Sequence, residues 1–313
     1  MRSARSLVVL LAAAAVALTA CGSSGGSGGG NSSGGGKGLK LGGPAECPTR
    51  PYCEVGLKNT YGIKISSFKT LDTGGPLTVA ALKDGTIDFG LMFTSDPTVA
   101  QSGFVLLDDD KHLQVSDNIV PIVNTKFNKA PASTALNAVQ AALSQEALVG
   151  MNSAVQLQHI PSKTVANGFL TNVHLGPTEL CGGATGSGKI TVGAANFSES
   201  DLLANVYAAA LKLCGYNTSV KTIGAREVEY PALKRGDLDV VAEYAATLTV
   251  FLKGTASPDI TTTMTALKGA LPSNLVALNP AKATDQNGFA VKQSFATANN
   301  LKTLSDLAAY SKK

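Results

Sequence analysis

The sequence predicts an α/β fold of two similar lobes, and three observations carry that prediction. The first is length. With the first 38 residues set aside, about 275 remain, more than the ~100–150 typical of one domain. The second is a near-repeat. ALKDGTIDFGLMF, from Ala81 to Phe93, and ALKRGDLDVVAEY, from Ala232 to Tyr244, share Ala-Leu-Lys, a Gly, an aliphatic residue, an Asp and an apolar run. The third is the alternation of helical and strand patterns around each copy.

In each copy a helical pattern runs into a glycine, Gly85 or Gly236, placed where a residue of positive φ ends a helix. The strand that follows is short and apolar on both faces, as in a parallel sheet covered by helices. Around the second copy, KITVGAA (189–195) reads as a strand and 198–215 as a helix with Ser198 as its N-cap. TSVKTI is the next strand, and a helix near 226–235 leads into DLDVVAEY. Around the first copy, IKISSFKTL (63–71) is a strand, PLTVAALKDG a helix and IDFGLMFT a strand; 133–156 and 161–172 read as further helices. Open α/β sheets take ligands at the C-terminal ends of their strands. Two such edges facing one another make a cleft.

The N-terminus sets the expected compartment. MRSAR is a short basic segment, and SLVVLLAAAAVA is an apolar run too short to span a bilayer. It ends at Leu18-Thr19-Ala20-Cys21, which resembles a bacterial lipobox and makes Cys21 the expected lipid anchor after cleavage. Residues 1–20 are thus read as a signal peptide, and the Gly/Ser-rich residues 21–38 as a lipid-anchored tether. The net charge of +4 forms no basic stripe, so nucleic acid is not an expected partner. Four further cysteines, an even number, suit an oxidising compartment. Cys47 and Cys53 flank a tight Pro-rich loop and are expected to pair; Cys181 and Cys214 form the second candidate bridge. The rival reading of a metal site lacks a CxxC, and the three histidines are scattered. No metal or cofactor is expected.

Five ordered stretches carry a specific resemblance: GGPAECPTRPYCEVGLKNTYG, LDTGGPLTVAALKDGTIDFGLMFTSDP, ITVGAANFSES, IGAREVEYPALKRGDLDVVAEYAAT and LKTLSDLA. Together the chain from 39 to 313 resembles the osmoprotectant-type substrate-binding proteins of ABC importers. Those bind glycine betaine, choline or carnitine between two lobes. The resemblance implies a type II periplasmic-binding-protein-like fold and a monomeric protein on the extracytoplasmic face of the membrane. It would deliver a small solute to a permease and its ATPase. The order of parts differs from the family's, in which the ITVG-like strand comes first. Here the later half leads, as in a circular permutation, with 175–188 bridging the old termini. The alternative is a chain assembled from two fragments or a truncated duplication. Lobe A then runs over 116–284, and lobe B is built from 39–115 and 285–313.

A quaternary ammonium has no N–H, so aromatic faces must hold it, each contributing about 0.5–2 kcal/mol. By resemblance, Tyr244 and Phe93 occupy positions of cage aromatics. Asn287 and Val79 stand where two further tyrosines are expected, and Ala195 stands for a lysine that often follows the first strand. Arg50 matches a family arginine that meets a carboxylate, a task its planar fork suits. Asn196 and Ser198 lie where a helix start could offer N–H groups to an anion. Asp285 could oppose a cation, and Thr94 and Thr247 could supply hydroxyls. Asp88 and Asp239, repeated in the twin stretches, read as structural.

The incomplete cage supports a second reading: a binding lipoprotein for another polar or aromatic small molecule, in sensing or adhesion. Catalysis finds little footing. GGATGSGKI (182–190) nearly spells a phosphate-binding loop, but Ile190 replaces the required Ser or Thr, and the run precedes a strand instead of following one. GGSGG in the tether matches a nucleophile elbow only through low complexity.

Overall fold

The computed structural model describes residues 38–313, so the signal, tether and anchor expectations, Cys21 included, lie outside the described residues. Two five-stranded sheets organise the rest. The first contains β1 (Leu39–Gly43), β2 (Ile65–Thr70), β3 (Phe89–Phe93), β4 (Phe104–Leu107) and β10 (Asn287–Lys292), in the order β2-β1-β3-β10-β4. The second contains β5 (Ile119–Asn124), β6 (Lys189–Ala195), β7 (Asn217–Gly224), β8 (Val240–Tyr244) and β9 (Leu275–Ala277), in the order β7-β6-β8-β5-β9. Each sheet has a parallel core of three strands and one antiparallel strand, β10 or β5, which is the first strand after the chain crosses between the sheets.

The two sheets have one topology. Counting five strands along the chain carries β1, β2, β3 and β4 onto β6, β7, β8 and β9, and β5 onto β10, with every pairing preserved. The twin stretches are the clearest instance. Helices Pro76–Asp84 and Arg226–Arg235 end at Gly85 and Gly236, with φ of 79° and 86°. In that left-handed region a Cβ would be strained. Asp88 Oδ2 accepts the Lys40 N–H at 2.8 Å, and Asp239 Oδ2 accepts the Thr191 N–H at 2.8 Å. The N–H of each Asp donates back to the carbonyl of that same residue. Each carboxylate therefore clamps the strand end to its neighbour. Close approach completes the likeness: a Cβ on Gly42 would lie 2.5 Å from Ile87 Cδ1, and one on Gly193 2.5 Å from Leu238 Cδ1.

Apolar clusters cover both faces of both sheets. The helix expected over 133–156 is two helices, Ala132–Ala142 and Gln145–Gln156. Between them Leu143 turns its carbonyl to the N–H of Ala283, and the Ser144 hydroxyl accepts the Ala147 N–H at 3.1 Å, capping the second helix. Ser198 is not an N-cap. Phe197 occupies that position without a side-chain bond. Ser200, inside the first turn, accepts the Ala195 N–H instead.

The chain crosses between sheets after β4 and again before β10, and the crossings run side by side. Asn118 and Thr284 form an antiparallel bridge. The Gln145 side chain ties the second crossing to the end of β3, donating to the carbonyls of Thr94 and Thr284 at 3.0 Å each and accepting the Thr284 N–H at 2.8 Å. No helix among the described residues is long and apolar enough to cross a membrane.

Candidate functional site

The C-terminal ends of β3 and β8 face a cavity of about 480 Å³ beside the crossing segments. Phe93 and Tyr244, the last residues of the twin stretches, both line it. Tyr244 is buried, while Phe93 keeps 37% of its surface exposed. Asn287, opposite Phe93 in the β3–β10 register, also lines it. So do Arg50 and Tyr52, from the loop closed by the Cys47–Cys53 disulfide. That loop is fixed twice more: Cys53 N–H bonds the Arg50 carbonyl at 3.1 Å, and Gln114 Nε2 bonds the Tyr52 carbonyl at 3.0 Å. The Arg50 guanidinium sits on the exposed rim, 3.3 Å from Glu46.

Buried carboxyls make the inner wall acidic. Asp285 lines the cavity and accepts the Ser95 hydroxyl at 2.8 Å. Burial pushes its pKa up to about 7, with the Glu199 charge adding to the effect. Asp117, also in the wall, is raised by burial and opposed by bonds from the N–H and hydroxyl of Thr247. Behind them Glu199 is sealed from solvent. The Tyr244 hydroxyl donates to Glu199 Oε1 at 2.6 Å, and Asn152 Nδ2 donates to Oε2 at 2.5 Å. Desolvating acids this way is costly unless donors or a cation compensate. Arg226, the nearest buried guanidinium, is held in a bidentate pair by Glu243 and does not line this cavity.

The expected residues do not all converge. Tyr244, Phe93, Arg50, Asp285, Asn287 and Thr247 line the one cavity. Thr94 follows β3 and is turned toward the second crossing, where its hydroxyl donates to the Thr284 carbonyl at 3.1 Å. Asn196 lines a second cavity on the other side of Tyr244, and Ser198 is an exposed first-turn residue lining neither. Val79 is no wall residue: it packs against the apolar cluster under β3 and β10. Cys181 and Cys214 form the second disulfide, tying helix Pro177–Cys181 to the end of helix Ser198–Leu213. Sequence reasoning missed Tyr52, Gln114, Asp117 and Glu199. Tyr52 shares the CPTRPYC loop with Arg50 and could have been found there; Glu199 lies in the ITVGAANFSES stretch beside Asn196 and Ser198, while Gln114 and Asp117 carry no motif. Among the described residues no group of His, Cys, Asp and Glu is arranged for a metal ion.

No curated protein matches the chain. Solved structures that match the chain include substrate binding domain 2 of Lactococcus lactis GlnP in open conformation, 13% identical over 88% of each chain with a TM-score of 0.43. A polar amino acid ABC uptake transporter substrate binding protein from Streptococcus thermophilus is 12% identical over 87% of this chain and 78% of its own, with a TM-score of 0.44. The second substrate binding domain of a putative amino acid ABC transporter from Streptococcus pneumoniae Canada MDR_19A is 12% identical over 88% of this chain and all of its own, with a TM-score of 0.41. The family model OpuAC, substrate binding domain of ABC-type glycine betaine transport system, matches residues 30–172 and 188–313. The chain belongs to that family of extracytoplasmic, two-lobed substrate-binding domains of ABC transporters.

Proposed function

We propose that the protein captures a small cationic or zwitterionic solute of the glycine betaine and choline class and hands it to an ABC permease and its ATPase. One observation carries the reading: the twin aromatics Phe93 and Tyr244 face a single cavity whose inner wall holds Asp285 and Asp117. Aromatic faces attract a cation that cannot donate hydrogen bonds, and the desolvated carboxyls gain a counter-charge when it enters. Tyr52 supplies a third ring where the sequence left the cage short. Arg50 at the rim is placed to meet a carboxylate, which would favour a betaine over choline. Anchoring through Cys21 follows from the lipobox resemblance.

A thermal-shift screen against tetramethylammonium, glycine betaine, choline and carnitine, with neutral amino acids as the contrast, tests this. Cationic solutes should raise the melting temperature, and scattering should show a smaller radius of gyration as the lobes close. Stabilisation by neutral polar solutes alone would favour the second reading, a sensing or adhesion lipoprotein with a hydrogen-bonding site.

We also infer that the chain order is a rotation of the family order. The fold supports it, because a rotation by five strands leaves the topology unchanged. The matched blocks break at 173–187, which overlaps most of the segment 175–188 expected to bridge the old termini. The other junction is short: Leu39 N–H bonds the Lys64 carbonyl at 2.8 Å, and Lys64 N–H bonds the Ser311 hydroxyl at 3.0 Å. A chain with Lys313 linked to residue 39 and opened within 175–188 should fold and bind alike; failure to fold would sink the inference.

A further inference from the structure

Tyr244 is a wall between two cavities. The second, about 410 Å³, lies at the strand ends of β6 and β8 and is lined by Phe197, Tyr244, Glu229, Arg226 and Glu243. The Phe197 and Tyr244 ring centroids are 6.3 Å apart, inclined at 30°. Phe197 is 47% exposed, an open aromatic face. Glu229, by contrast, is 2% exposed, and its Oε1 is sealed from solvent with no hydrogen-bond partner. An orphaned buried carboxyl is among the more expensive groups a fold can keep, and structural neighbours normally satisfy it. The one cation in the wall cannot, because Arg226 is committed to Glu243.

We propose that this second cavity is a subsite for a primary or secondary ammonium group, seated against the Phe197 and Tyr244 rings and hydrogen-bonded to the Glu229 carboxylate. Unlike a quaternary ammonium, such a group brings the N–H donors that Glu229 lacks. The inference rests on the cationic-solute reading above and extends it to solutes with a second, N–H-bearing cationic end. Burial, with the Glu243 charge adding and Arg226 opposing, raises the Glu229 pKa to about 8. Entry of the ammonium at neutral pH therefore ionises the acid and releases its proton to solvent. The charged groups facing Glu229 are Glu243 from β8 and Arg226 from its own helix. Glu227 is exposed at the rim, and Gly193 and Ser200 bring no charge from β6 and the helix after it.

Titrations of the whole protein with n-propylammonium and tetramethylammonium, from pH 6 to 9, test it. Propylammonium affinity should rise roughly tenfold per pH unit and level off above about 8. Glu229→Gln keeps the shape of the neutral acid; it should abolish that rise and weaken propylammonium at pH 8.5 at least ~10-fold, leaving tetramethylammonium unchanged. Asp285→Asn should leave the propylammonium rise between pH 7 and 8 in place. A flat pH profile, no propylammonium binding, or indifference to Glu229→Gln overturns the subsite. If tetramethylammonium alone fails to bind, the first cavity's assignment falls while the subsite stands.

Discussion

Replacing Tyr244 by Phe deletes one oxygen and separates the two tasks of this side chain. The ring would meet a cation in the cavity, while the hydroxyl holds Glu199 at 2.6 Å. Both partners are buried, Tyr244 at 7% exposure and Glu199 at 4%. A hydrogen bond to a charged group contributes about 1.5–3 kcal/mol net, and a buried acceptor that loses its donor also keeps its desolvation cost. Asn152 still donates to the other Glu199 oxygen, so the lower half of that range is expected. That is ~1.5–2 kcal/mol of stability, or roughly 3–8 °C in melting temperature for a chain of this size. The aromatic face survives, so affinity for tetramethylammonium should change less than about threefold. Thermal unfolding and calorimetry on the same preparation read the two effects separately. Unchanged stability would refute the hydroxyl's structural role. A loss of affinity above roughly tenfold in the Phe variant, equal to that in Tyr244→Ala, would refute the ring as the binding element.

Acid should stabilise the unliganded protein. Asp285 and Glu229 are raised from their ordinary 3.8 and 4.5 to about 7 and about 8, so the folded state holds more protons than the unfolded one. Stability should therefore fall as pH rises from about 4 to 8, by up to ~1.4 kcal/mol per unit for each group, and a flat profile in chemical denaturation would contradict the burial argument. Gly42→Ala and Gly193→Ala should each destabilise by about 1–3 kcal/mol, because the new Cβ enters the space of Ile87 or Leu238; a silent Gly193→Ala beside a harmful Gly42→Ala would break the equivalence of the lobes. Reducing the Cys181–Cys214 bridge, which closes 33 residues against 6 for Cys47–Cys53, should cost ~3.7 against ~2.2 kcal/mol on loop entropy. The shorter bridge should matter more for binding, since its loop carries Arg50 and Tyr52.

What the sequence disclosed and what it hid have physical causes. The twin units were legible because a helix ending in a positive-φ glycine, followed by a clamping Asp and a buried strand, is written entirely in local residue types. β1, β4, β5, β9 and β10 escaped. LKLGG carries two glycines, IVPIVN carries Pro121, and LVA is three residues long, so none shows a clean period. Phe93 and Tyr244 could be placed because they end the repeated stretches. Glu199 and Asp117 could not, since the bonds that define them reach 45 and 130 residues along the chain. Val79 misled for a different reason: it sits at the expected distance along its helix, but its side chain is turned into the lobe's own core. The swapped order of the halves did not disturb the fold class, because a topology repeated in both lobes has no unique beginning.

In the proposed function a cation sits between the aromatics that end β3 and β8. Calorimetric titration of tetramethylammonium into the wild-type protein and into Phe93→Ala tests it most directly. Phe93 is 37% exposed and outside the buried core, so its loss should spare the fold. The variant should bind roughly two- to thirtyfold more weakly, the equivalent of one aromatic face at about 0.5–2 kcal/mol. Equal affinity in the two proteins would contradict it and move the site elsewhere.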